Sequence, residues 1–183
     1  KLPDWNSSNL FRINGFTLLI WSTVLFFNAV LSSYAKNYLT GFKYQHRFTW
    51  LSLGFAIAVM LMVASNHLAF LLIGWFGMSL FMAGLIGVDK DWAEAKAAGM
   101  YSLRFFISGG ILLSIGLLLL GYQIDKYTLN AIIQQVDSIP YYVQLIAALF
   151  IITAALVQSA IYPFHRWLLS AMTAPTPASA LMH

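Results

Sequence analysis

A chain of 183 residues that is 60% hydrophobic and 9% charged, with a mean hydropathy of +0.75, is excluded from ordinary soluble domains, where about a quarter of residues carry charge. Its net charge of +4 is dispersed along the chain, which excludes a nucleic-acid-binding stripe and fits cations at helix ends. With no cysteine, it can build neither a disulfide framework nor a Cys-based zinc or iron–sulfur site.

Crossing the hydrocarbon core of a bilayer takes about 20 apolar residues. Five segments reach that length, 15–33, 48–65, 68–88, 99–121 and 142–161, and a sixth begins near Thr176. The expected fold class is all-α, a polytopic transmembrane helix bundle forming one domain over 1–183. The opening KLPDWNSSNLFRING has neither an initiator Met nor an early apolar core, and the chain ends at His183 inside what reads as a beginning helix, so a piece of a longer protein is expected. If every span crosses, Lys36, Lys43, Arg47, Lys90, Lys96 and Arg166 share one side, and Lys1, Arg12 and Lys126 the other. The positive-inside rule then makes the first linker cytoplasmic.

Between the fourth and fifth spans, Leu129, Ile132, Ile133 and Val136 have the spacing of one helix face, expected to lie along the membrane interface, with Thr128 as cap and Pro140 as terminator. Gly74, Gly77, Ser79 and Gly84 read as a close-packing face. Arg104 falls about one and a half turns into the fourth span. Two readings stand: it snorkels to the nearby surface, or it faces the bundle interior and hydrogen-bonds a neighbouring helix. The acids of this region, Asp89, Asp91 and Glu94, all read as linker residues.

The most informative stretch is QSAIYPFHRWLLSAMTAPTPASALMH, residues 158–183, where an apolar run is interrupted and then resumes. Pro163 lacks the amide that would reach the carbonyl of Ser159, so a discontinuous helix is expected near Tyr162 and Pro163, with Pro175 and Pro177 as further break residues. Broken helices survive in lipid only where protein or water satisfies the freed backbone groups. Gln158, Ser159 and His165 are therefore expected to face the bundle interior and a water-lined cavity. His165 and His183 bracket the break, and imidazole can pass a proton through its two nitrogens; the alternative for both is a hydrogen-bonded structural role. His46 and His67 fall in a basic loop and at a turn, and no H-x-x-H or H-x-x-x-H spacing supports a metal site. No nucleotide, haem or flavin signature and no acid–base or nucleophile cluster is present.

The run P-F-H-x-W-L followed by A-M-x-A-P-T-P-x-S-A-L-x-H, with SSYAKNYLTG, ASNHLAFLLIGW and SLRFFISGG collinear upstream, resembles the proton-conducting, antiporter-like membrane subunit family. That family includes the large L-type subunit of respiratory complex I, the large A-type component of Mrp sodium/proton antiporters and the membrane subunit of the DAB inorganic-carbon accumulation complex. The resemblance implies a proton pathway through Gln158, Ser159, His165 and His183, with Arg104, in a bacterial inner (plasma) membrane. Two departures stand out. Complex I and Mrp members carry a glutamate where this chain has Phe76, and a lysine where it has Gln158. Both departures resemble the DAB membrane subunit, whose partner is a soluble, zinc-containing, carbonic-anhydrase-like protein. The resemblance thus implies an ion-conducting subunit that energises hydration of carbon dioxide to bicarbonate, with zinc only in the partner and no cofactor in this chain. The alternatives are a complex I-like or Mrp-like subunit, and a non-conducting scaffold for a soluble enzyme.

Overall fold

The computed structural model describes residues 10–182; Lys1 and His183 lie outside them. Five helices are long and apolar enough to cross a membrane: α1 (Gly15–Tyr38), α2 (Gln45–Ala64), α3 (Leu68–Ile86), α4 (Ala93–Ile124) and, after the short α5 (Leu129–Gln135), α6 (Tyr141–Gln158). Two short helices follow, α7 (Arg166–Ser170) and α8 (Thr176–Met182). The chain is an integral membrane protein with an all-α bundle, and two isolated backbone bridges are its only β-type pairings among the described residues.

The helices start where the sequence supplies a cap. Asn14, in extended conformation, accepts the Thr17 amide at 2.9 Å and begins α1; His67 does the same for α3 by accepting the Ala69 amide at 3.2 Å. Helix α4 begins six residues before its expected span because 93–98 is made almost entirely of strong helix formers. Hydropathy marks where lipid begins, not where a helix does. Glu94 and Lys96 therefore sit on α4 and not in a linker, and Arg104 lies three turns into the helix.

Helix α4 is the spine of the bundle, with α3 and α6 against it, α2 against α3, and α1 outermost. Lipid removes the hydrophobic drive for helix association, so close approach through small residues takes its place. Gly74, Gly77 and Gly84 do turn toward α2, meeting Met62, Ala58 and Leu51. Buried Ser79 instead bonds its own helix, at the Trp75 carbonyl, 2.8 Å away.

One end of the bundle is tied by main chain. Leu10 carbonyl accepts from the amides of Asn66 (2.9 Å) and His67 (3.1 Å), while the Asn66 carbonyl accepts the Leu129 amide at 2.7 Å. Arg12 adds a 2.7 Å bond to Asn130 Oδ1. At the opposite end side chains do the tying. Arg47 donates to the carbonyls of Gly87 (3.4 Å) and Val88 (3.0 Å), and Lys43 pairs with Asp91 at 2.8 Å.

The segment after α4 differs from its expected form. Thr128 holds the N-cap position of α5 but makes no side-chain cap bond, and α5 passes into a 3₁₀ turn over Val136–Ser138 that ends before Pro140. Pro140 instead starts α6, its fixed φ suiting a helix entrance better than an exit. Ile132 is buried against Leu68, Leu113 and Ala154, but Ile133 is exposed and does not share that face.

Candidate functional site

The discontinuous helix is present, and its geometry is a full stop rather than a kink. Helix α6 ends at Gln158, and Ala160 takes a left-handed conformation, φ +52°. The Ile161 amide then reaches back to the Leu156 carbonyl (3.1 Å) and the Ala160 amide to the Val157 carbonyl (3.3 Å). This is the Schellman arrangement, which consumes carbonyls that a helix end otherwise leaves unpaired. Pro163 is thus not the cause of the stop; it comes five residues after the last helical residue, in a loop whose Tyr162–Pro163 peptide is cis. The chain resumes as α7 at Arg166.

The break lies at mid-bundle. Val157 approaches Gly109, halfway along the 32-residue α4, and beyond the gap Trp167 meets Phe106 edge-on at 4.6 Å between centroids. Trp167 Nε1 donates to the Val157 carbonyl at 2.9 Å across the gap, so the resumed helix pairs a carbonyl of the interrupted one. Ser170 bonds the Trp167 carbonyl at 2.7 Å, and fully buried Ser102 lies 3.5 Å from both groups. The second break, between α7 and α8, carries Pro175, but Pro177, expected to break the helix as well, falls within α8. Pro177 is buried in the first turn of α8, where its missing amide costs nothing, and the Pro175 carbonyl accepts from Ala178 (2.8 Å) and Ser179 (3.0 Å). Helix α8 then runs along α1, from a Thr176–Tyr38 hydroxyl contact of 3.2 Å to Ala180 beside Asn28.

The expected site residues separate. His165 is half-buried, stacked on Tyr162 at 5.7 Å, and its Nδ1 is buried with no hydrogen-bond partner. Gln158 is half-buried beside Val157. Ser159 is exposed, contrary to expectation, because Ala154 and Val157 define the buried face of α6 and Ser159 follows on its opposite side. Arg104 is also exposed rather than interior; it makes no hydrogen bond or ion pair among the described residues and borders an outer depression with Tyr101, Ser170 and Thr173. The structure does not join Arg104 to His165 by any bond. His183, the remaining member, lies outside the described residues.

The Phe76 ring fills the groove at Gly110, where a Cβ would come within 2.5 Å of the ring edge. The adjacent Trp75 has a buried Nε1 without a partner and packs against the cluster that contains Ala154, one turn before Gln158. Among the described residues no group of three His, Asp or Glu converges to hold a metal. One polar pair is not foreshadowed by any motif: buried Ser52 donates to Asn28 Oδ1 at 2.6 Å, between α2 and α1. Its only sequence signal is an amide in the middle of an apolar span.

Residues 65–183 match the family described as NADH:quinone oxidoreductase/Mrp antiporter, transmembrane. The chain is 30% identical over its whole length to a probable K(+)/H(+) antiporter protein, the A/B subunit, of Rhizobium meliloti, covering 18% of that protein. It is 31% identical, over 94% of its length, to a "Probable inorganic carbon transporter subunit DabB2" of Halothiobacillus neapolitanus, covering 32% of it. It is 32% identical, over 91% of its length, to the NADH-ubiquinone oxidoreductase chain 5 of Lumbricus terrestris, covering 28% of it. The chain thus spans about a fifth to a third of the curated relatives it matches.

Proposed function

This chain belongs to the NADH:quinone oxidoreductase/Mrp antiporter transmembrane family, and from that premise we propose that it is part of a proton-conducting membrane subunit that energises a partner hydrating carbon dioxide to bicarbonate. The observation that carries the reading is His165 Nδ1, buried without a protein partner at a helix break halfway through the bundle. An unpaired buried polar atom is costly, and water is the partner that both relieves that cost and carries a proton onward.

Phe76 and Gln158 bear on which kind of relative this chain follows. A phenyl ring cannot carry charge, and a glutamine orients water through its amide but takes up no proton at physiological pH. The relay then rests on His165 and His183, with Gln158 holding water where relatives hold a lysine, and the ends of α6 and α7 directing backbone dipoles at the gap. Loss of both charged residues sets this chain apart from complex I-type pumping and favours the inorganic-carbon reading, which the name of the Halothiobacillus relative also supports. In that reading zinc belongs to a soluble, carbonic-anhydrase-like partner, the membrane is a bacterial inner membrane, and the first linker, with Lys43 in it and Lys36 and Arg47 on the helix ends beside it, is cytoplasmic.

The same two residues favour a second reading of a different class. Phe76 seated against Gly110 closes the groove a charge would occupy, as a non-conducting scaffold would. The test is growth of a carbonic-anhydrase-deficient host at ambient carbon dioxide, with the full-length protein and its genetic neighbour co-expressed. Rescue that a protonophore and His165→Ala both abolish supports conduction. Rescue indifferent to both supports the scaffold, and sodium-dependent proton exchange in vesicles without rescue supports an antiporter.

A further inference from the structure

We propose that the cavity between α2, α3 and α4, at the end of the bundle carrying Lys43 and Asp91, binds the headgroup of an anionic phospholipid. The cavity measures about 430 Å³. Arg47, Lys90 and Lys96 border it, and no carboxylate does. Lys90 and Lys96 are exposed and make no hydrogen bond or ion pair among the described residues.

Arg47 has a second task that makes room for an anion. The carbonyls that end α3 carry partial negative charge and would repel a phosphate. Arg47 Nη1 donates to the Gly87 and Val88 carbonyls just past that end, and leaves its remaining donors for a ligand. Gly87 and Gly99 face each other at the cavity wall, where a Cβ on Gly99 would lie 2.8 Å from the Ala83 carbonyl. The wall there is bare backbone.

The polarity of the lining runs in one direction. Leu80 lies seven residues before Gly87 on α3, and Leu103 seven residues after Lys96 on α4, each roughly 10 Å deeper at 1.5 Å per residue. Met100, exposed, lies between them. A cationic mouth passing within that depth to an apolar floor matches a lipid phosphate, its glycerol and the first acyl carbons. A free phosphate would leave Leu80, Met100 and Leu103 without a role.

Native mass spectrometry of the full-length protein in detergent, with phosphatidylglycerol or phosphatidylcholine of the same acyl chains, tests this. Phosphatidylglycerol should be retained preferentially, resist millimolar inorganic phosphate, and be retained roughly 30-fold less in the Lys90→Gln/Lys96→Gln variant, each cation contributing about fivefold near an anionic headgroup. Met100→Trp, which narrows the passage from the cationic mouth to the apolar floor and keeps both lysines, should also reduce retention. Equal retention of the two lipids, a lysine variant that keeps the preference, or a Met100→Trp variant with unchanged retention overturns the proposal. Displacement by inorganic phosphate assigns the cavity to a free anion and overturns it as well.

Discussion

The indole nitrogen of Trp167 donates to the carbonyl of Val157 at 2.9 Å, joining two helical segments that the chain between them leaves apart. Trp167→Phe keeps most of the ring against Phe106 but removes the donor. Because the Val157 carbonyl also receives the Ala160 amide, the loss should sit near the low end of the range for a buried hydrogen bond, about 1 kcal/mol. Trp167→Ala, which also opens a cavity, should cost about 3–5 kcal/mol. Unfolding in mixed micelles measures both, and equal costs would show that the hydrogen bond, not the ring, holds α7.

Ala160 occupies a left-handed position that favours glycine. Ala160→Gly should therefore raise stability by roughly 1 kcal/mol, since the relieved backbone outweighs the added freedom of the unfolded chain. Ala160→Val should lower it. A destabilised glycine variant in the same unfolding assay would show that the left-handed turn at Ala160 is not what ends α6.

The contact between Phe76 and Gly110 calls for a double-mutant cycle. Gly110→Ala forces the Phe76 ring aside and should cost about 1–3 kcal/mol by overpacking. In a Phe76→Leu background the same change should cost much less, giving a coupling of about 0.5 kcal/mol or more by the usual scale of contacting pairs. Additive costs would mean that the ring does not fill the Gly110 groove.

His165→Ala and His183→Ala in the full-length protein should abolish coupled activity while leaving membrane levels and assembly intact, and Gln158→Ala should be milder because water can occupy the space of its amide. Immunoblots of membranes alongside proton-driven transport decide it. Full activity in both histidine variants would make these residues structural.

The Lys43–Asp91 pair sets a pH window for the linkers. Lys43, and then the Tyr44 hydroxyl, hold Asp91 below the ordinary 3.8, and Asp91 raises Lys43 above 10.5. A depressed carboxyl contributes above its unfolded value and loses that contribution as pH falls through the folded one; a raised amine loses its contribution as pH rises through its own. The tether should thus hold from below pH 3.8 to above 10.5 and weaken in salt, both groups being exposed. Spin labels on the two linkers should report an unchanged distance between about pH 5 and 9 and a broader one at high salt. A transition near neutral pH would contradict this.

The helix number and the broken segment were legible in the sequence because lipid imposes length and apolarity on any span, and proline interrupts the pattern visibly. Helix ends were less so: α4 starts at Ala93 because of helix propensity in a region whose hydropathy is unremarkable. The stop at Ala160 was invisible, since alanine carries no mark of a left-handed turn. Side-chain direction was the weakest part. Ser159 was expected inward as a polar residue and Arg104 was left between surface and interior, because a helix turns about 100° per residue, and which face is buried depends on neighbours such as Gly109 that no local pattern reveals.

The two ends of the bundle are fastened by different chemistry, and that has an evolutionary consequence. Where Leu10, Asn66 and Leu129 meet, the ties are amides and carbonyls that nearly every amino acid possesses. Substitution there is cheap unless it introduces proline, so that end is free to diverge in sequence while keeping its geometry. At the other end the ties are the side chains of Lys43, Asp91 and Arg47, each lost by one codon change. Variation that alters how the bundle is held therefore acts chiefly there, and at the first end through the few side-chain ties of Arg12, Asn66 and Asn130.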